Sequence, residues 1–254
     1  MFSSSAEFYD LIYSTFKDYE AEVAQIASLL RRLNPQCKTV LDVACGSGEH
    51  ARLLAARGFI VDGLDLDPAF VRIARQKHPA GRFFEADMSD FHLSHRYDAV
   101  MCLFSSIGYL RTLDRVEAAL TCFREHLAPA GVVAVEPWFA PGVLDPGRVA
   151  RNTGEANGVR VTRVSRAEVE GRLSRLHFDY EITDGTGTRR ANEVHELGLF
   201  TTSELLETFG RAGLEAVHDP KGLTDRGLYL ARLRPFAAEG GARDNEPPRR
   251  EDGR

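Results

Sequence analysis

The fold is decided by the stretch TVLDVACGSGEH, which spans residues 39–50. Its first part, 40–44, is a short apolar run of the kind that forms a central parallel strand. Gly46 and Gly48 follow, and because glycine has no Cβ the backbone there can approach a ligand closely. A helix predicted over 49–57 then presents free N–H groups at its start. This unit suits a bound cofactor, but the glycines alone do not say which one.

The composition excludes several classes of protein. The chain has 254 residues, of which 43% are apolar and 27% charged, enough for one large core with a small insertion. Its net charge of −5 and the lack of a basic stripe argue against nucleic acid as a partner. No apolar run approaches the roughly 20 residues that span a membrane, and the N-terminus lacks the features of a signal peptide. The four cysteines form no CxxC pair, so we expect reduced thiols in a cytoplasmic protein.

Four more apolar runs alternate with predicted helices after the opening unit. Each of these runs is followed by polar or otherwise special residues at its carboxyl end. This alternation predicts a doubly wound α/β sheet with a site at the strand ends. The predicted strands are 40–44, 60–65, 81–86, 97–103 and 132–135, the last entered through a turn at Ala130–Gly131, and the predicted helices between them are 49–57, 67–77 and 112–127.

Two helices are predicted before the sheet, over residues 1–36. Ser4 and Glu7 have the spacing of a capping box, and Asp18 is placed to cap a helix that ends at Leu33. The first helix carries several tyrosines. They indicate either ordinary amphipathic packing or a lid whose phenols reach a ligand.

The pattern changes after residue 138. Residues 139–158 are rich in Pro, Gly and Asn, and 159–199 alternate between apolar and polar residues with hairpin signals between the runs. We therefore predict an inserted antiparallel β subdomain over 139–199, with three or more strands. A helix over 202–212, capped by Thr202 or Ser203, and two closing strands over 214–218 and 227–233 would complete a core made of 37–138 and 200–234. Residues 235–254 are predicted to be disordered.

Two cofactors fit the opening stretch. Gly46 starts a G-x-G-x-x-A pattern, and Asp65 follows 19 residues later, as in a dinucleotide fingerprint. The same layout serves S-adenosylmethionine (SAM), whose ribose hydroxyls an acid after strand two can bind. Asp42 before the turn, Asp87-Met88 after strand three, and a closing strand pair that suits an antiparallel last strand favour SAM.

These motifs together resemble the class I SAM-dependent methyltransferases. The chain is most similar to the sugar N,N-dimethyltransferases that act on nucleotide-linked 3-amino-3,6-dideoxyhexoses in antibiotic pathways, and it is also similar to the lincosamide N-methyltransferases. The resemblance covers roughly residues 6–233 and implies a seven-stranded Rossmann-like sheet with an N-terminal helical lid. Its motifs are AEFYDL at 6–11, KDY at 17–19, LDVACG at 41–46, DM at 87–88, 101–108, VVAVEPW at 132–138 and RGLY at 226–229.

At matching positions, the resemblance implies contacts with each part of SAM. Backbone in the glycine turn would approach the methionine part, and two lid tyrosines would reach its carboxylate. An acid after strand two would bind the ribose, an Asp-Met pair after strand three the adenine, and a leucine after strand four would lie near the sulfonium. In that order, the residues are Ala44 and Gly46, Tyr9 and Tyr19, Asp65, Asp87 and Met88, and Leu103.

On the substrate side, the resemblance implies contacts from Glu136, Trp138 and Arg226. Two further substrate-facing positions depart from the sugar enzymes. Tyr109 stands where they carry a histidine, and Phe2 is the closest match to their N-terminal tyrosine. We expect Tyr109 to orient the amine, with ordinary edge packing as the alternative.

Methyl transfer to nitrogen needs a free lone pair, so an ammonium must first lose a proton. For an amine of pKa about 10.4 this costs roughly 4–5 kcal/mol at pH 7. Orientation of the reactants can supply about 7–11 kcal/mol, so a dedicated base is not required. His50 and His126 are weak candidates for one, and His177 and His195 lie in the inserted strands and could face either way.

The sequence therefore predicts a SAM-dependent N-methyltransferase acting on a small-molecule amine such as an aminosugar. The alternatives are an O- or C-methyltransferase of another small metabolite, an NAD-dependent oxidoreductase and a non-catalytic SAM-binding protein. No metal is implied, because no His, Asp or Glu cluster has ligand spacing. The inserted strands would cover the site or pair with a second copy, which makes a homodimer a further hypothesis.

Overall fold

The computed structural model describes residues 6–234. The predicted roles of Phe2 and Ser4, and the predicted disorder of 235–254, lie outside these residues.

Helices and strands alternate through the described chain. The helices are α1 (Tyr9–Tyr13), α2 (Tyr19–Leu33), α3 (Glu49–Ala55), α4 (Pro68–Lys77), α5 (Leu113–Glu125) and α6 (Thr202–Arg211), with 3₁₀ turns at Ala6–Phe8 and Ser106–Leu110. The strands are β1 (Thr39–Val43), β2 (Ile60–Asp65), β3 (Phe83–Glu85), β4 (Tyr97–Cys102), β5 (Leu127–Val135), β6 (Val149–Ala156), β7 (Val159–Glu170), β8 (Leu173–Asp184), β9 (Gly187–Gly198), β10 (Leu214–Asp219) and β11 (Leu228–Leu233).

The larger sheet has seven strands in the order β10-β11-β5-β4-β1-β2-β3. The strands β1 to β5 pair in parallel, whereas β11 is antiparallel to both β5 and β10. This confirms the predicted seven-stranded sheet and its antiparallel closing pair. The central position of β1 places the turn after it in the middle of the carboxyl edge.

Helices cover both faces of this sheet. Successive residues of β1 point to opposite faces, so Leu41 and Val43 join one apolar layer while Val40 joins the other. The first layer includes α5 and α6, and the second includes α2, α3 and α4. The apolar run of β1 is therefore continuous because the strand is buried from both sides.

The smaller sheet is antiparallel, with the order β6-β7-β8-β9. It confirms the prediction of three or more antiparallel strands, and its first strand begins at Val149, before the alternating pattern that starts at residue 159. Only Gly154 of β6 is buried, because β6 is an edge strand. Its less exposed positions, 150, 152 and 154, carry Ala, Asn and Gly rather than large apolar residues, so the sequence carried no strand signal there.

Two other boundaries differ from the predictions. The fifth strand starts at Leu127, and residues 128–131, which include the predicted turn, lie within it at an irregularity in the β4–β5 register. The last helix is capped by Thr201 rather than by Thr202 or Ser203. Thr201 and Glu204 form a reciprocal capping box, which fixes the start of α6.

Helix α1 bridges the smaller sheet and the glycine turn. Its Ile12 packs in an apolar cluster with Val161, Phe178, Tyr180 and Ile182 of the smaller sheet. On the other side, Asp10 accepts hydrogen bonds from the hydroxyl of Ser47, at 2.5 Å, and from the ammonium of Lys77, at 2.6 Å. The helix is thus held by the smaller sheet on one side and by the glycine turn on the other, and it covers the space between the two. No helix within residues 6–234 has the length and apolar character needed to cross a membrane.

Gly48 is required by its conformation and by its neighbours. It caps α3 at a φ of +77°, in the left-handed region, and a Cβ there would lie 2.9 Å from the Cβ of Ala74 in α4. Gly58 has a φ of +89° but no atom within 4 Å of the position that a Cβ would take.

The pair Gly48→Ala and Gly58→Ala separates backbone strain from crowding. Gly58→Ala should lower the free energy of unfolding by about 1–2 kcal/mol through strain alone. Gly48→Ala should lose about 1–3 kcal/mol more, because α3 and α4 must move apart. Urea denaturation measures both values. Equal losses in the two variants would contradict the packing shown here.

Candidate active site

A first cavity of about 40 Å³ lies at the carboxyl end of β1, beneath the lid. Five residues predicted to bind the cofactor line it, namely Tyr9, Tyr19, Ala44, Gly46 and Leu103. Gly46 has a φ of +54°, and a Cβ added there would meet nothing within 4 Å. The backbone of the turn therefore faces open space that a ligand can enter.

Asp65 is tied to this turn. Its Oδ2 accepts a hydrogen bond of 2.9 Å from the N–H of Gly46, and its Oδ1 accepts one of 2.9 Å from the N–H of Asp67. Burial raises the pKa of this carboxyl above its ordinary value, against the effect of the two backbone donors. Asp65 thus holds the end of β2 against the turn after β1 and lies beside the first cavity rather than in its wall.

Asp87 and Met88 follow β3. Asp87 accepts hydrogen bonds from the N–H and the hydroxyl of Ser89 and forms an ion pair of 2.6 Å with Arg115. Although burial raises its pKa, these bonds hold the net pKa of Asp87 below the ordinary value. Met88 packs against the apolar layer of α5. The two residues are therefore placed beyond the end of β3, outside the walls of the first cavity.

Asp42 supplies a buried carboxyl to the wall of the first cavity. It is 2% exposed, and its Oδ2 has no hydrogen-bond partner within residues 6–234. Burial, with a smaller effect from the charge of Asp65, raises the pKa of Asp42 to about 8. A buried carboxyl of this kind is stabilised in its charged form by a cation. The first cavity therefore suits a ligand with a positive group, as SAM has.

A second cavity of about 250 Å³ lies between the lid, the ends of β4 and β5, and the smaller sheet. Three residues predicted for the substrate side line it, Tyr109, Trp138 and Arg226. The two cavities meet at three residues that line both, Tyr9, Phe104 and Ser106. A donor in the first cavity and an acceptor in the second would thus be adjacent.

Glu136, also predicted for the substrate side, lies behind the wall of the second cavity. It is fully buried and accepts a 2.6 Å hydrogen bond from the N–H of Phe104. It also accepts hydrogen bonds from the hydroxyl of Thr224 and, at 3.4 Å, from the guanidinium of Arg226. Glu136 therefore positions two cavity residues, Phe104 and Arg226.

Four arginines, Arg148, Arg163, Arg166 and Arg226, line the second cavity, with Asp145 as the one acid in its wall. Arg163 is 5% exposed, and its guanidinium lies over the rings of Tyr13 and Phe178 at 4.8 and 4.6 Å. Its Nε and Nη1 have no hydrogen-bond partner within residues 6–234. The chemistry of this wall suits an anion.

Tyr109 faces this cavity from the turn after β4, and its hydroxyl lies 3.0 Å from Nδ1 of His195 in β9. Desolvation of the phenol raises its pKa well above the ordinary value, although 37% of the residue surface is exposed. His195, whose direction the sequence left open, is buried against the site. Trp138 is fixed by a 2.9 Å hydrogen bond from its Nε1 to the hydroxyl of Ser174.

Sequence reasoning missed Phe104, Ser106 and Arg163. The first two follow β4 in a turn whose shape depends on Glu136, which no local pattern reveals. Arg163 did carry a signal, because it stands two residues from Val161 in an alternating strand and therefore shares its inward face. An arginine at an inward position of a strand is uncommon and indicates an anionic partner or ligand.

Comparison with known proteins agrees with this geometry. Residues 40–131 match the family model "Methyltransferase domain". The dTDP-3-amino-3,6-dideoxy-alpha-D-glucopyranose N,N-dimethyltransferase of Streptomyces fradiae is 42% identical over 226 residues, which cover 88% of this chain and 89% of that protein.

Solved structures give the same relationship. The crystal structure of Streptomyces venezuelae DesVI superposes with a TM-score of 0.85 at 37% identity, covering 90% of this chain and 98% of that one. The SAM-bound structure of CalS10, an amino pentose methyltransferase of Micromonospora echinaspora involved in calicheamicin biosynthesis, gives a TM-score of 0.77 at 36% identity, covering 85% and 92%. The chain therefore belongs to the family of SAM-dependent methyltransferases that includes the dTDP-aminosugar N,N-dimethyltransferases.

Proposed function

We propose that this protein transfers a methyl group from SAM to the amine of a nucleotide diphosphate-linked aminosugar in an antibiotic pathway. The observation that carries the proposal is the arginine wall of the second cavity, next to the glycine turn. The relatives act on dTDP-linked aminosugars, and a dTDP-sugar carries a negatively charged diphosphate. A free aminosugar has no group that would need such a wall.

The buried guanidinium of Arg163 is the main support for an anionic acceptor. Its Nη2 donates to Oδ1 of Asn152 at 3.4 Å, but its Nε and Nη1 have no hydrogen-bond partner among the described residues. Buried donors left unpaired are costly, and a charge-assisted hydrogen bond contributes about 1.5–3 kcal/mol. Arg166 is already paired with Asp179 at 2.5 Å, and Arg226 with Glu136 at 3.4 Å. Arg148 is exposed and can be hydrated, whereas Arg163 is buried, so Arg163 gains most from a diphosphate oxygen.

Aromatic residues supply the rest of the second cavity, which is the proposed acceptor cavity. Rings from the lid, from the two strand ends and from the smaller sheet can pack on the flat base and on the apolar face of a deoxysugar. These rings belong to Tyr9, Tyr13, Phe16, Phe104, Tyr109, Trp138 and Phe178.

For SAM, the proposed contacts keep the residues expected from the sequence and add one. Ala44, Gly46, Tyr9, Tyr19 and Leu103 would hold the methionine part and the sulfonium in the first cavity. Asp65 would bind the ribose, and Asp87 with Met88 the adenine, beyond that cavity. The addition is Asp42, whose carboxylate would face the positive charge of the ligand.

The Asp42 contact predicts that binding of the product S-adenosylhomocysteine depends on pH. Asp42 must lose a proton to pair with the ligand's ammonium, and its free pKa is about 8. The ligand lowers that pKa, so the affinity should rise by up to about tenfold per pH unit between pH 6 and 8 and level off above. Calorimetric titration measures the affinity and the proton released. Asp42→Asn should remove the dependence, while His50→Gln, which changes another residue of the same wall, should keep it. A rise that survives in Asp42→Asn would refute the assignment.

The arginine wall predicts which acceptor is used. Purified protein with SAM should add one and then two methyl groups to dTDP-3-amino-3,6-dideoxyglucose, seen by mass spectrometry. Arg163→Gln should raise KM for this acceptor by about 10–150-fold, the equivalent of a lost charge-assisted hydrogen bond.

Arg160→Gln is the matched control, because Arg160 lies on the same strand with its side chain 62% exposed. It should leave KM unchanged, and binding of S-adenosylhomocysteine should be equal in both variants. Equal turnover of the nucleotide-linked and the free aminosugar would overturn the proposal. Methylation of a hydroxyl or a carbon instead would favour the O- or C-methyltransferase alternative.

We also propose the division into a lid at 1–36, a core at 37–138 and 200–234, and an inserted subdomain at 139–199. Pairing of two copies through an edge of the smaller sheet, and a cytoplasmic location, stay predictions. Light scattering of the purified protein tests the first.

A further inference from the structure

A row of polar side chains leads from the acceptor cavity into the smaller sheet. Tyr109 lies in the cavity wall, and its hydroxyl is 3.0 Å from Nδ1 of His195. The other ring nitrogen of His195, Nε2, lies 3.4 Å from Oε2 of Glu193. The His195 side chain has no exposed surface. The phenol of Tyr109 is therefore the polar group that links His195 to the cavity.

The donor and acceptor properties of the three groups fix the direction of the bonds. A carboxylate only accepts, so Nε2 of His195 carries the hydrogen that faces Glu193. In neutral histidine this leaves Nδ1 as an acceptor, and Tyr109 donates its O–H to it. The phenol oxygen then has lone pairs free to accept a hydrogen bond from a group in the cavity.

Side chains of two neighbouring strands pack around His195 and Glu193. From β8, the hydroxyl of Tyr180 donates to Oε2 of Glu193 at 3.4 Å, and the ring of Phe178 lies 4.9 Å from that of His195. From β7, the guanidinium of Arg163 lies over the ring of Phe178. A buried carboxylate beside an imidazole stabilises the imidazolium.

We propose that Tyr109, His195 and Glu193 form a proton relay that takes the proton from the acceptor's ammonium. The inference rests on the proposed function, because it needs an amine acceptor. Tyr109 would be a catalytic residue that touches the substrate, and His195 and Glu193 would act through it.

The proton transfer and the methyl transfer conserve atoms and electrons. An N–H proton of the ammonium passes to the oxygen of Tyr109 while the phenol proton passes to Nδ1 of His195, so Tyr109 stays neutral. The freed lone pair forms the new N–C bond, and the electrons of the broken S–C bond stay on the sulfur of SAM. His195 later returns its proton through Tyr109 to water in the cavity, and a second methylation uses the relay again.

Desolvation supports a conducting role for Tyr109. A phenol of ordinary pKa is already neutral near pH 7, and desolvation raises the pKa of Tyr109 further, so a concerted transfer avoids forming a phenolate.

The test is the pH profile of kcat/KM with dTDP-3-amino-3,6-dideoxyglucose as acceptor, between pH 6.5 and 9.5. Tyr109→Phe and His195→Gln should each lower kcat/KM about 100-fold at pH 7. As the pH rises, this loss in kcat/KM should shrink by up to about tenfold per pH unit, because the free amine becomes more abundant and needs no relay. A deficit of the same size at every pH would show a structural role and overturn the proposal, as would no deficit.

Two comparisons sharpen this test. The double variant should be no slower than the slower single variant, because both substitutions break one relay, whereas additive losses would contradict it. His177→Gln is the matched control, since His177 lies on the neighbouring strand with its side chain 31% exposed. It should keep the profile of the unsubstituted protein.

A measurement without turnover keeps the relay separate from the proposed function. If the unsubstituted protein methylates no dTDP-aminosugar, the proposed function fails, and long-range ¹H–¹⁵N spectra still test the relay. With S-adenosylhomocysteine bound, neutral His195 should carry its hydrogen on Nε2, and Tyr109→Phe should shift the Nδ1 resonance. A hydrogen on Nδ1 would overturn the relay.

Discussion

The carboxylate of Glu136 joins three segments of the chain on which both cavities depend. It receives the N–H of Phe104 after β4, the hydroxyl of Thr224 and the guanidinium of Arg226 before β11. Phe104 is held at a φ of +53°, in the left-handed region, where a bulky residue persists only if its surroundings hold it there. Its ring lies under the ammonium of Lys17 at 3.9 Å and near Arg226 at 5.1 Å. One buried acid therefore fixes the wall that the two cavities share.

The two cavities differ in sign. The first has the buried carboxyl of Asp42 in its wall, and the second has four arginines against one acid. A cationic donor and an anionic acceptor would each be attracted to its own side, with Tyr9, Phe104 and Ser106 between them. This separation would place the charges of the two ligands on opposite sides of the shared wall. It also explains why the smaller sheet belongs to the site, because it supplies the buried arginine.

How much the sequence could predict depended on whether the determining contacts were local. The cap at Asp18 and the turn after β1 depend on residues within a few positions, and they were predicted correctly. The cap of α6 was wrong because three hydroxyl residues stand in a row, and only the reach of Glu204 selects Thr201. The strand β6 was missed because its less exposed positions carry Ala, Asn and Gly, which give no apolar alternation.

The acceptor cavity was harder to predict because its walls come from distant parts of the chain. The distance between Tyr109 and His195 depends on how the smaller sheet docks on the larger one, which the pattern of neither segment records. A shift of one residue along β9 would have turned His195 to the other face of the sheet. The family resemblance implied a place for Glu136 on the substrate side, and the structure shows that its bonds to the neighbouring segments keep it buried.

The N-terminal segment that contains Tyr9 contributes to the walls of both cavities. Tyr9 lines both cavities, while Tyr13 and Phe16 of the same segment line the second, and the segment is fastened to both sheets. Spent cofactor that leaves past Tyr9 would displace the same segment that covers the acceptor. Successive methylations on one amine would then be distributive, with the singly methylated sugar escaping into solution and returning for the second methyl group.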